Sequence, residues 1–545
     1  MMPNGPKSTA PCREACPAGI DIPRYIRTIQ DGDFEGALAV IRERIPFPFV
    51  CGYACVHPCE TKCARVQYDE PVAIRMLKKV AAEEGGRKPP VIIRNPSTGK
   101  SVAIVGSGPC GLTAAHYLNV LGHKVTVYEA RPRLGGMLRY AIPEYRLPEE
   151  IVEKEIGFIR GGGVEMIAAS RITSAKSLLK QGFDAVLVAI GAGKPVRMGI
   201  PGEDAANIIE GIAFLERLNI GERVDIGKDV IVIGGGNAAI DAARASIRLD
   251  AKVVQLYRRT RAEMPSSREE IAAAIEEGVR IKYLTAPVAV AGSQVACIRM
   301  ELGELGEDGR PRPVPVVGSG YTLNFDTLIM ALGQSAEASS VGLEGRKDGT
   351  IVVDSDTRTA SLQGVFAAGD ATHGSSSIIE AIAQGRHACA AIDRYLGGKG
   401  ILPEFIPEEE SPVLVEPASP GEKRPVVRMI PLKKRLTTFD PVEKSYSKRD
   451  AVREADRCFS CDLRNFDVIV DGLICKGCGY CMDACTLDVF QQSEKFNPSG
   501  YKPLVAAYPD RCVGCRRCLY ACPDFAIAVK EKKILFNNLL KEKSQ

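Results

Sequence analysis

Residues 101–129 read SVAIVGSGPCGLTAAHYLNVLGHKVTVYE, an apolar run, a glycine turn, a stretch with small residues at helical spacing and a second apolar run. Gly106, Gly108 and Gly111 have the spacing G-x-G-x-x-G. In a strand–turn–helix unit the first glycine permits the tight turn, the second lets a pyrophosphate approach the backbone, and the third lets helix and strand pack closely. The helix N-terminus then faces the phosphates with its partial positive charge. Glu129 ends the second run, where a carboxylate accepts hydrogen bonds from a ribose diol. A glycine triplet alone is a weak signal, but with strand, helix and terminal acid it reads as a dinucleotide site in a parallel α/β fold.

A second copy starts at Val230, VIVIGGGNAAIDAARASIRLDAKVVQLYRR, with Gly234, Gly236, Asn237 and Ala239 repeating the turn. Its second strand ends at Arg258 and Arg259 rather than at an acid. Arginine suits a ribose 2′-phosphate, which a carboxylate would repel. The first site therefore reads as binding a dinucleotide without that phosphate and the second as binding NADP(H), the competing view of the arginines being a solvated basic face. A third element, Gly364-Val365-Phe366-Ala367-Ala368-Gly369-Asp370, reads as a buried strand ending where Asp370 either reaches a flavin's polar linker or caps the following helix. The order of motifs predicts a flavin unit interrupted by a nicotinamide unit, with LIMALGQ (328–334) as the strand that returns to the first.

With 545 residues, the chain has length for about three to four domains of roughly 150 residues. A net charge of +4 gives no global reason to expect nucleic acid or another polyanion as partner. No stretch approaches the ~18 apolar residues of a membrane span, and the first residues lack a signal-peptide core, so a soluble cytoplasmic protein is expected.

The 19 cysteines are unevenly placed: six from Cys12 to Cys63, ten from Cys458 to Cys522, and Cys110, Cys297 and Cys389 between. In a large chain without an export signal this favours metal ligation over disulfides. Near the end stand Cys475-x2-Cys478-x2-Cys481-x3-Cys485 and Cys512-x2-Cys515-x2-Cys518-x3-Cys522-Pro523. Such runs hold two 4Fe-4S clusters, the fourth thiolate of each coming from the other run. One set is then Cys475, Cys478, Cys481 and Cys522, the other Cys512, Cys515, Cys518 and Cys485, with zinc the disfavoured alternative.

The motifs GSGPCGL, GGMLRYAIPEYRLP, VIGGGNAAIDAAR, YRRTRAEMP and GVFAAGDATHGSSSIIEAIAQGR, in this order, resemble the glutamate synthase small-subunit family. Its relatives include the N-terminal half of dihydropyrimidine dehydrogenase and the large subunit of NADH-dependent ferredoxin:NADP oxidoreductase. The resemblance spans about residues 12 to 398. It implies that Gly135, Gly136, Met137, Leu138 and Arg139 lie along FAD, that Ile142 and Pro143 lie near its isoalloxazine, and that Arg258 and Arg259 hold the NADPH phosphate.

The family pattern has a further Cys-x2-Cys before Cys12, where this chain has Asn4 and Lys7. A segment resembling the missing one occurs far downstream, at Ala451–Cys461, so Cys458 and Cys461 are expected to fold back and join Cys12 and Cys63 around one cluster. By family analogy Cys16, Cys55 and Cys59 serve another, whose usual Glu or Gln ligand is replaced by Lys78. A protonated lysine cannot ligate iron, which leaves Cys51 as the substitute, or a structural zinc or an empty site instead. Pro58 and Gly52 break the four-residue spacing of Cys51, Cys55, Cys59 and Cys63 into turns rather than one helix.

The expected architecture is α/β. A helical iron–sulfur region (1–98) precedes two nested Rossmann-like domains: a discontinuous FAD domain (99–197 and 331–398) around an NADP(H) domain (198–330). An extended, poorly packed linker (399–457) leads to an α+β bacterial-type ferredoxin domain (458–545). The closing pattern KEKKILFNNLLKEK reads as a helix covering that domain or as a partner contact.

Nicotinamides give up two electrons as hydride and iron–sulfur clusters carry one, and a flavin joins the two regimes. The expected activity is therefore electron transfer between NADP(H), FAD and a chain of 4Fe-4S clusters to or from another redox subunit or a ferredoxin. It belongs in a hetero-oligomer, an electron-bifurcating transhydrogenase among the candidates. No acid, base or nucleophile is needed. A glutamate synthase small subunit and a non-catalytic wiring subunit are the alternatives, while a flavin disulfide reductase is disfavoured because the middle cysteines are isolated.

Overall fold

The strand Ser101–Val105 is buried along all but its first residue and sits at the centre of a five-stranded parallel sheet. A run apolar on both faces suits a strand covered by helices on each side. The strand order is Val365–Ala367, Ala185–Val188, Ser101–Val105, Lys124–Tyr128, Glu165–Ile167. Helix Pro109–Val120 follows the glycine turn and packs against helix Ile378–Tyr395. Their contact is tight: a Cβ on Gly385 would stand 2.4 Å from the Cys110 carbonyl oxygen. This computed structural model describes residues 10–87, 92–306, 309–402, 423–462, 466–485, 487–512, 514 and 516–531. The expectations for Cys515, for most of the closing pattern KEKKILFNNLLKEK and for linker residues 403–422 lie outside the described residues.

A second parallel sheet has the order Ile208–Glu210, Thr327–Met330, Asp229–Ile233, Lys252–Leu256, Arg280–Lys282. This corrects the expectation for LIMALGQ. Its apolar residues pair in register with Ile208–Glu210 and with Val230–Ile233, so the strand belongs to the second sheet and not to the first. Four successive buried residues belong at an interior position, and the second sheet offers one between two partners. The return to the first unit is made instead by Gln334–Ser335, antiparallel to Lys194–Pro195, so the chain leaves and re-enters at one point. An antiparallel sheet built on the long strand Gln294–Leu305 flanks the second unit.

The N-terminal region is helical, with Ile22–Gln30, Phe34–Arg42, Pro48–Ala54 and Ile74–Gly85 packed together. The C-terminal region has two short antiparallel pairs, Phe466–Val470 with Ile527–Glu531 and Phe490–Gln492 with Leu504–Ala506. Among the described residues no helix is long and apolar enough to cross a membrane.

Residues 423–457 are not the extended, loosely packed linker that their charge and proline content suggest. They carry the helices Leu432–Arg435 and Lys448–Ala455 and bury Arg435, Val442, Tyr446, Ala451 and Ala455. Their charges are used inward. Arg75 pairs with Glu443 at 2.5 Å, and Arg435 pairs with Glu276 at 2.8 Å. Composition misleads here because a charged residue counts as solvated until a partner elsewhere in the chain is known.

The second unit is held by a buried ion network. The Glu277 carboxylate accepts from Arg244 at 2.8 and 2.9 Å and from Arg248 at 2.7 and 3.1 Å. Burial opposes the charge on Glu277, but the two guanidiniums hold its carboxyl below the ordinary value. Glu277→Gln leaves both cations short of a counter-charge and is expected to cost about 3–5 kcal/mol, read as a lower thermal midpoint. Because the folded carboxyl titrates below its unfolded value of 4.5, the network's contribution is complete above that pH. It is lost as pH falls through the depressed value, so acid denaturation of the variant should lose that part of its pH dependence.

Candidate cofactor and metal centres

The glycine turn after Ser101–Val105 opens a cleft of about 520 Å³, within the range of a small-molecule site. Gly106 has φ +108°, and a Cβ there would stand 2.3 Å from the Ala189 carbonyl oxygen. A Cβ on Gly111 would meet the Gly106 carbonyl oxygen at 2.1 Å, so the third glycine lets helix and turn touch. Gly108 differs: it lines the cleft, and a Cβ there meets nothing within 4 Å. A bare backbone at a helix N-terminus, open to the cleft, fits the pyrophosphate of a dinucleotide.

Glu129 lines the same cleft and is nearly buried. One of its oxygens accepts from the Ser107 N–H at 3.1 Å and from the Ser107 hydroxyl, and the other accepts from the Arg131 N–H at 2.9 Å. Ser107 is a residue the sequence did not flag. Its hydroxyl also accepts from the Gly135 N–H at 3.0 Å, which ties the Gly135–Gly136 turn to the first glycine loop. Gly136, Met137, Leu138, Ile142, Gly369 and Asp370 line the cleft as well.

Arg139 does not line it. Its guanidinium turns away, donating to the Leu134 carbonyl at 2.7 Å and pairing with Glu149 and Glu153. A buried guanidinium needs several acceptors, and the helix Glu149–Gly161 supplies them. Gly135 and Pro143 are likewise absent from the cleft lining.

At the second turn Gly234 has φ +139°, and a Cβ there would stand 2.2 Å from the Ala331 carbonyl oxygen. Gly236 is open, Asn237 begins the helix Asn237–Arg248, and Ala239 packs against Gly234. The two arginines part company. Arg258 is exposed, whereas Arg259 is buried and its Nε donates to the Pro311 carbonyl at 2.8 Å. Adjacent residues leaving a strand point to opposite sides, so Arg258 points to solvent while Arg259 turns to the Pro311 carbonyl.

The cysteines gather in four sets. Burial pushes the Cys12 thiol well above its ordinary pKa, and the neighbouring Cys63, Cys458, Cys461 and Cys59 push it further. The two ends of the chain therefore meet at this point. Helix Lys448–Ala455 brings the downstream pair back by packing on Ile22–Gln30 and Ile74–Gly85. Ala73 N–H donates to Glu454 at 2.7 Å, Arg65 to the Arg457 carbonyl at 2.9 Å, and Arg27 to Asp462 at 2.8 Å.

The second N-terminal set surrounds Lys78. Burial acts to lower that ammonium's pKa, yet Cys55, Cys51, Cys59 and Cys16 carry it above its ordinary value. Lys78 is 3 % exposed. Neutral thiols would leave this cation as an uncompensated buried charge, whereas metal-bound thiolates supply the counter-charge. Cys51 lies in helix Pro48–Ala54, the helix ends at Cys55, and His57 at φ +41° turns the chain toward Cys59.

In the C-terminal region one cavity is lined by Cys475, Cys478, Cys481 and Cys522, and another by Cys485, Cys512 and Cys518. Among the described residues, sulfurs accept backbone N–H groups at 3.3–3.5 Å, as Cys55 does from His57, Cys458 from Ser460, Cys475 from Leu504, Cys512 from Gly514 and Cys522 from Ala526. Backbone donors aimed at sulfur fit iron–sulfur ligation, where such bonds tune the potential. Cys110, Cys297 and Cys389 stand buried outside the four sets.

The family model for pyridine nucleotide-disulphide oxidoreductases matches residues 100–385. Models for dihydropyrimidine dehydrogenase domain II with a 4Fe-4S cluster and for a 4Fe-4S dicluster domain match residues 7–88 and 474–526. The chain is 40 % identical to the NADP(+)-dependent formate dehydrogenase subunit beta of Moorella thermoacetica, over 84 % of this chain and 71 % of that one. It is 37 % identical to the NADPH-Fe(3+) oxidoreductase subunit beta of Geobacter sulfurreducens, over 84 % and 75 %. It is 34 % identical to the glutamate synthase [NADPH] small chain of Azospirillum brasilense, over 73 % and 89 %. Among solved structures, FprA from Mycobacterium tuberculosis in complex with NADPH shares the fold over 56 % of this chain and 85 % of that one, with TM-score 0.50 and 19 % identity.

The two cleft glycines separate folding from binding. Gly106→Ala is expected to destabilise the protein by about 1–3 kcal/mol through backbone strain, with further loss from the contact with Ala189. Gly108→Ala should keep the thermal midpoint of flavin-free protein and lose bound flavin, measured as the ratio of flavin to protein absorbance.

Proposed function

Since the chain belongs to the pyridine nucleotide-disulphide oxidoreductase family, we propose that it is the NADP(H)-linked subunit of a cytoplasmic electron-transfer complex, carrying FAD and four 4Fe-4S clusters and exchanging electrons with a partner redox protein. The observation that carries this reading is the return of the segment ending at Cys458 and Cys461 onto the N-terminal region, where Arg65 donates to the Arg457 carbonyl at 2.9 Å, Arg27 to Asp462 at 2.8 Å and the Ala73 N–H to Glu454 at 2.7 Å, which supports one path through both cysteine-rich ends. Subunit names among the relatives support a hetero-oligomer.

Bound FAD supplies the exchange between a two-electron hydride and single electrons. The chain's own residues do the rest by position. Gly108 leaves room for a pyrophosphate, Glu129 holds acceptor oxygens at the cleft, and Met137, Leu138 and Ile142 provide an apolar wall that excludes water. Arg258, exposed at the end of its strand, is the group for a 2′-phosphate. Cys12, Cys63, Cys458 and Cys461 hold one cluster. Cys16, Cys51, Cys55 and Cys59 hold a second, with the Lys78 ammonium balancing part of its charge. In the tail Cys475, Cys478, Cys481 and Cys522 hold a third, and Cys485, Cys512, Cys515 and Cys518 a fourth. The alternative role as a glutamate synthase small subunit is weaker because that relative shares 73 % of this chain, against 84 % for the two subunit-beta relatives.

Protein purified without oxygen should contain iron and sulfide near four clusters per chain. A value near two leaves only the tail pair and defeats the N-terminal assignment. NADPH should bleach the flavin, and Arg258→Ala should weaken NADPH use by about 1.5–3 kcal/mol while sparing NADH. Equal losses for both nucleotides would remove the phosphate role of Arg258.

A further inference from the structure

The two thiol-lined cavities of the C-terminal region are not equivalent. The cavity of Cys475, Cys478, Cys481 and Cys522 is walled only by residues of that region, and Cys478 is exposed to solvent. The cavity of Cys485, Cys512 and Cys518 is walled in addition by Gln67, from the N-terminal region. The next residue, Tyr68, makes the junction. Its hydroxyl donates to the Gly514 carbonyl at 3.5 Å, two residues beyond Cys512. Its ring meets Phe459 edge-on, with centroids 5.0 Å apart at 74°. Phe459 lies between Cys458 and Cys461 and is covered on another side by the Arg65 guanidinium, 5.0 Å from the ring centroid. A single side chain thus touches the loop of one N-terminal thiol set and the loop of one tail set.

We infer an order for the electron path from this contact. The set Cys12, Cys63, Cys458 and Cys461 exchanges electrons with the inner tail set around Cys485, Cys512 and Cys518. The inner set exchanges with the outer set at Cys478, where electrons leave or enter the chain. Tyr68 is the positioning residue that fixes the first of these gaps. Each passage moves one electron, oxidising the donor set by one as the acceptor set is reduced by one, and two passages match one NADPH. The order rests on the reading above that the thiol sets hold clusters. Transfer between clusters falls steeply with distance, so a junction that sets their separation controls the rate without touching the nucleotide sites.

The test uses full-length holoprotein mixed anaerobically with NADPH, frozen at intervals and read by electron paramagnetic resonance. In Tyr68→Ala the N-terminal clusters should be reduced at the wild-type rate, while reduction of the tail pair slows about tenfold or more. Iron content should be unchanged and the magnetic coupling between inner and N-terminal clusters weaker. Tyr68→Phe keeps the ring on Phe459 and should restore most of the rate. Unchanged tail reduction and coupling in Tyr68→Ala would overturn the junction. In a second arm Cys512→Ser should block NADPH reduction of the outer set, still reducible by dithionite, whereas Cys478→Ser should leave the inner set reduced normally. Wild-type reduction of the outer set in Cys512→Ser would overturn the order. If Cys512→Ser loses more than one cluster's iron, the Tyr68 pair alone decides. Wild-type protein lacking the N-terminal signals would instead defeat the cluster assignment, a failure distinct from both.

Discussion

A buried ion network between the two ends of the chain is the constraint on which the rest depends. Arg457, 1 % exposed, is gripped by Glu454 at 2.8 and 3.0 Å, by Asp69 at 3.2 Å and by the Glu70 carbonyl at 2.7 Å. Asp69 is in turn shared with Arg65, which reaches the Arg457 carbonyl. Both terminal nitrogens of Arg457 have acceptors and its buried Nε has none, and charges so matched on either side of the junction favour one geometry. That geometry sets Cys458 and Cys461 beside Cys12 and Cys63 and carries the C-terminal region against Gln67 and Tyr68.

The same accounting of buried charge runs through the molecule. Lys78 stands among four thiols, Glu277 between two arginines, and Arg139 between two glutamates, each in a place where water is excluded. Lys78 is the instructive case, because its charge is balanced only when the sulfurs around it are anionic.

Much of the cofactor chemistry was legible before any coordinates. The glycine spacing at 106–111 and 234–239 reports backbone conformation directly, and the tail cysteines report ligand loops by their spacing alone. The fold-back of Cys458 and Cys461 was legible only through a missing motif at one end and a surplus one at the other. Ser107, Tyr68 and the Arg457 network carried no signal, because a serine, a tyrosine or an arginine in a loop has many uses. LIMALGQ misled because it obeyed its local pattern while the strand that claimed it, Asp229–Ile233, lay about a hundred residues away in the chain.

The sequence by itself determined the two nucleotide turns and the sulfur chemistry, since these depend on φ/ψ and spacing within about thirty residues. Only the tertiary structure decided which of two adjacent arginines faces solvent, which sheet receives Thr327–Met330, and that residues 423–457 are packed rather than extended. Those outcomes turn on the competition of buried charges and strand edges for partners hundreds of residues away, which no local pattern records.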